Sequence, residues 1–85
     1  MGVDSNYETT FQLDHRHYRA AMHAEQRQID GRAYYKAVID SSPLRGTHSA
    51  EEDSVESALD YLNLAMQAEG ADEIIFTALP TEATG

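Results

Sequence analysis

The chain has 85 residues, no cysteine and a formal net charge of -9 at pH 7. That length suits one domain, residues 1–85, with a thin core that dimerisation would help to cover. No disulfide framework is available, and neither a long apolar run nor a basic-then-apolar N-terminus marks a membrane span or a secretory leader, so the cytoplasm is the expected location.

The charge is unevenly distributed. All six cations (Arg16, Arg19, Arg27, Arg32, Lys36, Arg45) fall in residues 1–48, where six acids balance them, whereas residues 49–85 hold nine acids and no cation. One lysine against five arginines and fifteen acids resembles the composition of proteins from extreme halophiles. Molar salt shortens the Debye length to about 3 Å, which removes most self-repulsion while hydrated carboxylates keep the chain soluble. A salt-adapted protein is therefore expected. The competing meaning of the acidity is a nucleic-acid mimic or an acidic partner for a basic protein.

Residues 1–6 and 80–85 are small, polar and unpatterned, and read as frayed ends around an ordered part of about 7–79. Two readings compete for residues 14–31. One is a helix capped by Asp14 and ended by Gly31; the other is a three-stranded meander. Register favours the meander. If Asp30-Gly31 is a two-residue type I′ turn, positions summing to 61 face each other, which sets Met22 opposite Ile39, Ala24 opposite Ala37 and Glu25 opposite Lys36. If Asp14-His15 is the preceding turn, positions summing to 29 pair, which sets Phe11 opposite Tyr18 and Tyr7 opposite Met22. Both turns send the same side of the middle strand inward, an agreement that a one-residue slip in either would destroy.

Further along, Val55, Leu59, Leu62 and Met66 form one helical stripe flanked by Ala58 and Ala65, predicting a helix from Ala50 to about Glu69. Ser49 is the expected N-cap, Glu51, Glu52 and Asp53 are acids placed at the positive end of the dipole, and Gly70 is the stop. The final run, Glu73 to Leu79, predicts a strand apolar on both faces. The expected architecture is α+β: a two-layer β-β-β-α-β sandwich, an antiparallel meander covered by one long helix, with Tyr7, Phe11, Tyr18, Met22, Tyr35 and Ile39 on the inner sheet face.

Three surfaces are candidates for function. The outer sheet face gathers Gln12, His17, Arg19, His23, Arg27, Tyr34 and Lys36, a platform for an anion or for a partner's acidic surface. Tyr34 is its one aromatic, which disfavours nucleic acid, because sheets that read single strands present two or three stacking rings. His15, His17 and His23, read as strand residues on one side, are weak candidates for a zinc, nickel or copper site completed by Glu8 or His48. On the helix, Leu64 lies opposite the core stripe with Tyr61 and Ala68 towards the same side. Together with Ile75 and Leu79 of the last strand they form an expected interface with another chain, most simply a homodimer. No nucleophile motif, phosphate-cradling loop or acid–base spacing is present, so no catalytic residue and no cofactor are expected.

The stretch Asp30-Gly31-Arg32-Ala33-Tyr34-Tyr35-Lys36-Ala37-Val38-Ile39, followed by Pro43-Leu44-Arg45-Gly46-Thr47 and by Glu51-Glu52 with the helix through Ala65, resembles the HicB-type antitoxin domain, a degenerate ribonuclease-H-like α+β module. The resemblance covers roughly half the chain. It implies neutralisation of a small basic toxin by protein contact, with no reaction of its own.

Overall fold

A computed structural model describes residues 5–80. The frayed ends expected at 1–4 and 81–85 lie outside the described residues, while Ser5 and Asn6 belong to the first strand rather than to a frayed end. Among the described residues five elements follow one another: β1 (Ser5–Leu13), β2 (Arg16–Ile29), β3 (Arg32–Ile39), α1 (Val55–Ala68) and β4 (Asp72–Ala78). The fold is α+β, with a four-stranded antiparallel sheet in the order β3-β2-β1-β4 and one helix.

The meander forms in the register set by its turns. Asp14 and His15 have φ of 55° and 65°, and Asp30 and Gly31 have 53° and 78°. Both hairpins thus turn through two residues with positive φ, the type I′ geometry whose twist matches that of the flanking strands. Phe11 pairs with Tyr18 and Tyr7 with Met22 across β1 and β2, while Met22 pairs with Ile39 and Glu25 with Lys36 across β2 and β3. The helical reading of residues 14–31 is replaced by a hairpin and a 14-residue strand.

The helix is shorter than the apolar periodicity implies. It begins at Val55, and its N-cap is Ser54, whose hydroxyl accepts the Ser57 N–H at 3.1 Å. Ser49 has another task. Its side chain is buried, accepts the Ala37 N–H and donates to the Ala50 carbonyl, and its own N–H bonds the Ala37 carbonyl. Glu52 and Tyr35 exchange both backbone hydrogen bonds, and Ile39 N–H reaches the Thr47 carbonyl. Residues 47–52 therefore run along the outer edge of β3 instead of starting the helix, because unpaired strand groups offer them more hydrogen bonds than a premature helical turn would.

At the other end, Gly70 is in the left-handed region with φ 98°, its N–H bonds the Gln67 carbonyl, and Ala71 N–H bonds the Met66 carbonyl. This is the Schellman arrangement, and Ala71 and Met66 are both buried in the core cluster. The stop at Gly70 is as the sequence implies.

Phe11, Met22, Ile39, Leu62 and Met66 are the large fully buried apolar side chains, joined by Ala20, Ala37 and Ala58 in one cluster. The centre of the helix's buried stripe is Ala58, Leu62 and Met66, with Leu59 only half-buried. Beyond the helix, β4 is thinly covered: Ile74 and Phe76 are half-buried and Ala78 is exposed.

Candidate functional site

Three surfaces present chemistry, and the topology places them apart. On the outward side of α1, Tyr61 is 50% exposed and Leu64 is 56% exposed, with Ala68 exposed beside them. Glu56 and Asp60 on this helix and Glu69 at its C-cap are also exposed, and no cation occurs after Arg45. An apolar strip among carboxylates is the result. Asn63 and Gln67 are already satisfied by each other, with the Gln67 amide donating to the Asn63 side-chain oxygen at 2.6 Å.

Ile75 and Leu79 lie elsewhere. Pairing of Thr9 with Phe76 and of Thr10 with Ile75 sends Phe76 to the helix side and Ile75 to the outer side of the sheet. Ile75 is 60% exposed and Leu79 42% exposed. The expected interface thus divides into a helix patch of Tyr61, Leu64 and Ala68 and a β4 patch of Ile75 and Leu79, on opposite sides of the sheet.

The outer sheet face carries His17, Arg19, His23 and Arg27 from β2 and Tyr34 and Lys36 from β3, as alternation requires. It is an ion-pair lattice more than a basic platform. Arg19 contacts Glu8 at 3.5 Å, and Arg27 contacts Glu25 at 3.5 Å and Glu51 at 3.2 Å. Lys36 stands directly across from Glu25. With cations and carboxylates interleaved, little uncompensated positive charge remains to attract a polyanion.

At the centre of this face is a cluster that sequence reasoning missed. His23 Nδ1 lies 2.8 Å from Asp40 Oδ2, and its Nε2 lies 3.3 Å from Glu25 Oε1. Asp40 is held in place from both sides: its N–H bonds the Ala21 carbonyl, and the Ser41 hydroxyl accepts the Ala21 N–H at 2.9 Å. Hydrogen bonding to Asp40, opposed by partial desolvation and aided by the charge of both carboxylates, raises the His23 pKa above its ordinary 6.5. A signal was available, since positions 21 and 40 also sum to 61 and the turn register extends one residue past β3.

The three histidines do not converge. His15 occupies the turn, not a strand, and His17 and His23 are six positions apart along β2. Among the described residues no group of three or more His, Asp or Glu side chains is arranged to hold a metal ion. A further feature absent from the sequence reading is an open groove of about 590 Å³ between the loop Pro43 to His48 and Ala65, Ala68 and Glu69 of the helix end.

No protein-family model matches this sequence, and comparisons with curated proteins and with solved structures find no match. Among the described residues no helix is long and apolar enough to cross a membrane.

Proposed function

We propose that this chain is a non-catalytic protein-interaction module of salt-adapted type, a two-layer α+β unit that works in the cytoplasm as an antitoxin-like adaptor. The observation that carries the reading is the exposure of Tyr61 and Leu64, more than half of the latter, on a helix whose charged residues are all acidic. A basic segment with an apolar stripe complements both the charge and the apolar surface of this strip. Retained apolar contact lets such a complex persist in molar salt, where a purely electrostatic one dissociates.

Support also comes from the resemblance of residues 30–65 to HicB-type antitoxins, which act by contact with a small basic toxin. The outer sheet face, with its cations engaged by carboxylates, adds nothing in favour of nucleic acid, and the dispersed histidines add nothing in favour of a metal.

The test is the composition and mass, by light scattering, of the species purified from its own cells in molar KCl. A stoichiometric basic polypeptide is expected with the wild-type chain and lost with Leu64→Asp, while circular dichroism of the variant is unchanged. A species of one polypeptide, or a partner retained by the variant, rejects the helix patch as the adaptor surface.

A further inference from the structure

The sheet has two edges, and they are treated differently. The β3 edge is occupied by the chain's own residues 47–52, through the Tyr35–Glu52 pair and the Ile39–Thr47 and Ser49–Ala37 hydrogen bonds. Among the described residues nothing covers the β4 edge in the same way. Leu79 N–H bonds the Asn6 carbonyl, and the pairs Glu8–Thr77 and Thr10–Ile75 are in phase with it. In an antiparallel ladder alternate residues turn their backbone groups to opposite neighbours, so Phe76 and Ala78, and Ile74 before them, direct N–H and C=O away from β1 into the open.

The ends of this open segment are guarded and its middle is not. A bulge with Glu73 in the left-handed region (φ 50°) and the acids Asp72 and Glu73 close it at one end, and Pro80 closes it at the other. Between them, Ile74 to Leu79 has no charge and no proline, the devices that ordinarily discourage edge pairing. The same six residues are short of cover on both faces, with Ile75 and Leu79 exposed on one and Phe76 only half-buried on the other.

We infer that β4 pairs antiparallel with β4 of a second copy about a two-fold axis through Phe76, joining two sheets into one of eight strands. Phe76 faces Phe76 of the second copy, Ile74 faces Ala78, and Ile75 faces Thr77. This centre uses all three outward-directed residues and stays within the regular part of the strand, between the bulge and Pro80. Charge selects the occupant. The segment offers no carboxylate to a basic peptide, and antiparallel pairing sets Asp72 and Glu73 beside the uncharged end of the other strand, whereas parallel pairing would bring the four acids together. Because residues 47–52 seal the β3 edge, association closes at two copies and does not continue into a fibre.

Residues paired across a sheet point to the same side, so both α1 helices lie on one side of the eight-stranded sheet. The dimer then presents two Tyr61–Leu64 patches in one direction. The pairing itself does not depend on the adaptor reading, and the adaptor test above can fail without affecting it.

The test uses the full 85-residue chain, which has no cysteine. Sedimentation equilibrium in 2 M KCl and in 0.2 M KCl is expected to show twice the 9.4 kDa chain mass. Ala78→Pro removes an N–H directed to the open edge and is expected to give a folded monomer. The double variant Ile75→Cys with Thr77→Cys is expected to cross-link into a covalent dimer under mild oxidation. Those two positions are opposed between copies and too far apart within one strand to close on themselves. A monomeric wild type in both salts overturns the inference. So does a folded Ala78→Pro variant that keeps the dimer mass. If Ala78→Pro fails to fold, the cysteine pair decides, and absence of the covalent dimer overturns the register.

Discussion

His23 and Asp40 are joined at 2.8 Å across the outer face of the sheet, seventeen residues apart in the chain. The contact exists because Asp40 continues the β2–β3 ladder one step past the end of β3 and binds the Ala21 backbone. Asp40 and Glu25 favour the charged imidazole, so the folded-state pKa of His23 is raised above 6.5. For a raised pKa, the stabilisation is fully present below the unfolded value and is lost as pH rises through the folded value. Denaturant midpoints should therefore fall between about pH 6 and pH 8, by an amount within the ~0.2–1 kcal/mol usual for partly exposed pairs. His23→Gln and Asp40→Asn should each flatten the profile over that window. An unchanged slope in both variants would show that the pair does not couple to folding. Glu25, Lys36 and Arg27 share this face and contribute a background that the variants leave in place.

The turn at Asp14-His15 makes a separate demand. His15 sits at φ 65°, a conformation that costs an L-residue with a Cβ roughly 1–2 kcal/mol and glycine almost nothing. The second hairpin already has Gly31 at the equivalent position. Part of the gain from glycine is offset by the extra freedom of the unfolded chain. His15→Gly should thus stabilise the fold by about 0.5–1 kcal/mol, read as a higher urea midpoint with an unchanged m-value. Destabilisation would mean that the imidazole makes a contact worth more than the backbone relief.

Thr9 is fully buried between Ala20 and Phe76, and among the described residues its hydroxyl has no hydrogen-bond partner. An unsatisfied buried hydroxyl costs about 1–3 kcal/mol relative to a methyl of the same shape. Thr9→Val is expected to raise stability by about 1 kcal/mol by thermal or chemical denaturation. A loss of stability would show that the hydroxyl is satisfied within the core.

The parts of the fold that were legible in the sequence are those determined over short distances. Two-residue turns fix registers arithmetically, which is why the stacked pair Phe11–Tyr18, with ring centroids 5.9 Å apart, follows from Asp14-His15 alone. The helix start was not legible, because Ser49 and Ser54 each stand two residues before an acid, at Glu51 and Glu56, and both satisfy a local N-cap rule. What separates them is the β3 edge, which captures Ser49 through bonds to Ala37 twelve residues earlier. The place of β4 beside β1 was equally hidden, since crossing from one edge of the sheet to the other leaves no mark on neighbouring residues. Of the candidate surfaces, Tyr61, Leu64, Ile75 and Leu79 are exposed where the sequence reading places apolar surface, whereas Ile29, also exposed, lies outside that reading. Sequence reasoning joined Tyr61 and Leu64 to Ile75 and Leu79, which only the strand's orientation separates. It also missed Asp40, whose role depends on one further step of the ladder.

Salt is the condition under which all these contributions are to be measured. Residues 49–80 carry eight acids and no cation, and they include the whole helix and β4. The helix has no basic residue in its last turn to oppose its dipole. At low ionic strength these charges repel over distances comparable to the width of the helix, and in the unfolded chain they separate, so folding concentrates the repulsion. Raising KCl from 0.1 M to 2 M shortens the screening length to a few ångströms. The arginine ion pairs that salt weakens, Arg19–Glu8, Arg27–Glu25 and Arg27–Glu51, join exposed guanidinium groups to partly exposed carboxylates and contribute little. The melting temperature should therefore rise by several degrees over this range, and neutralising Asp60 and Glu69 to Asn and Gln should reduce the salt dependence. A melting temperature that stays level or falls would show that self-repulsion does not limit this fold, and salt adaptation would lose its physical basis.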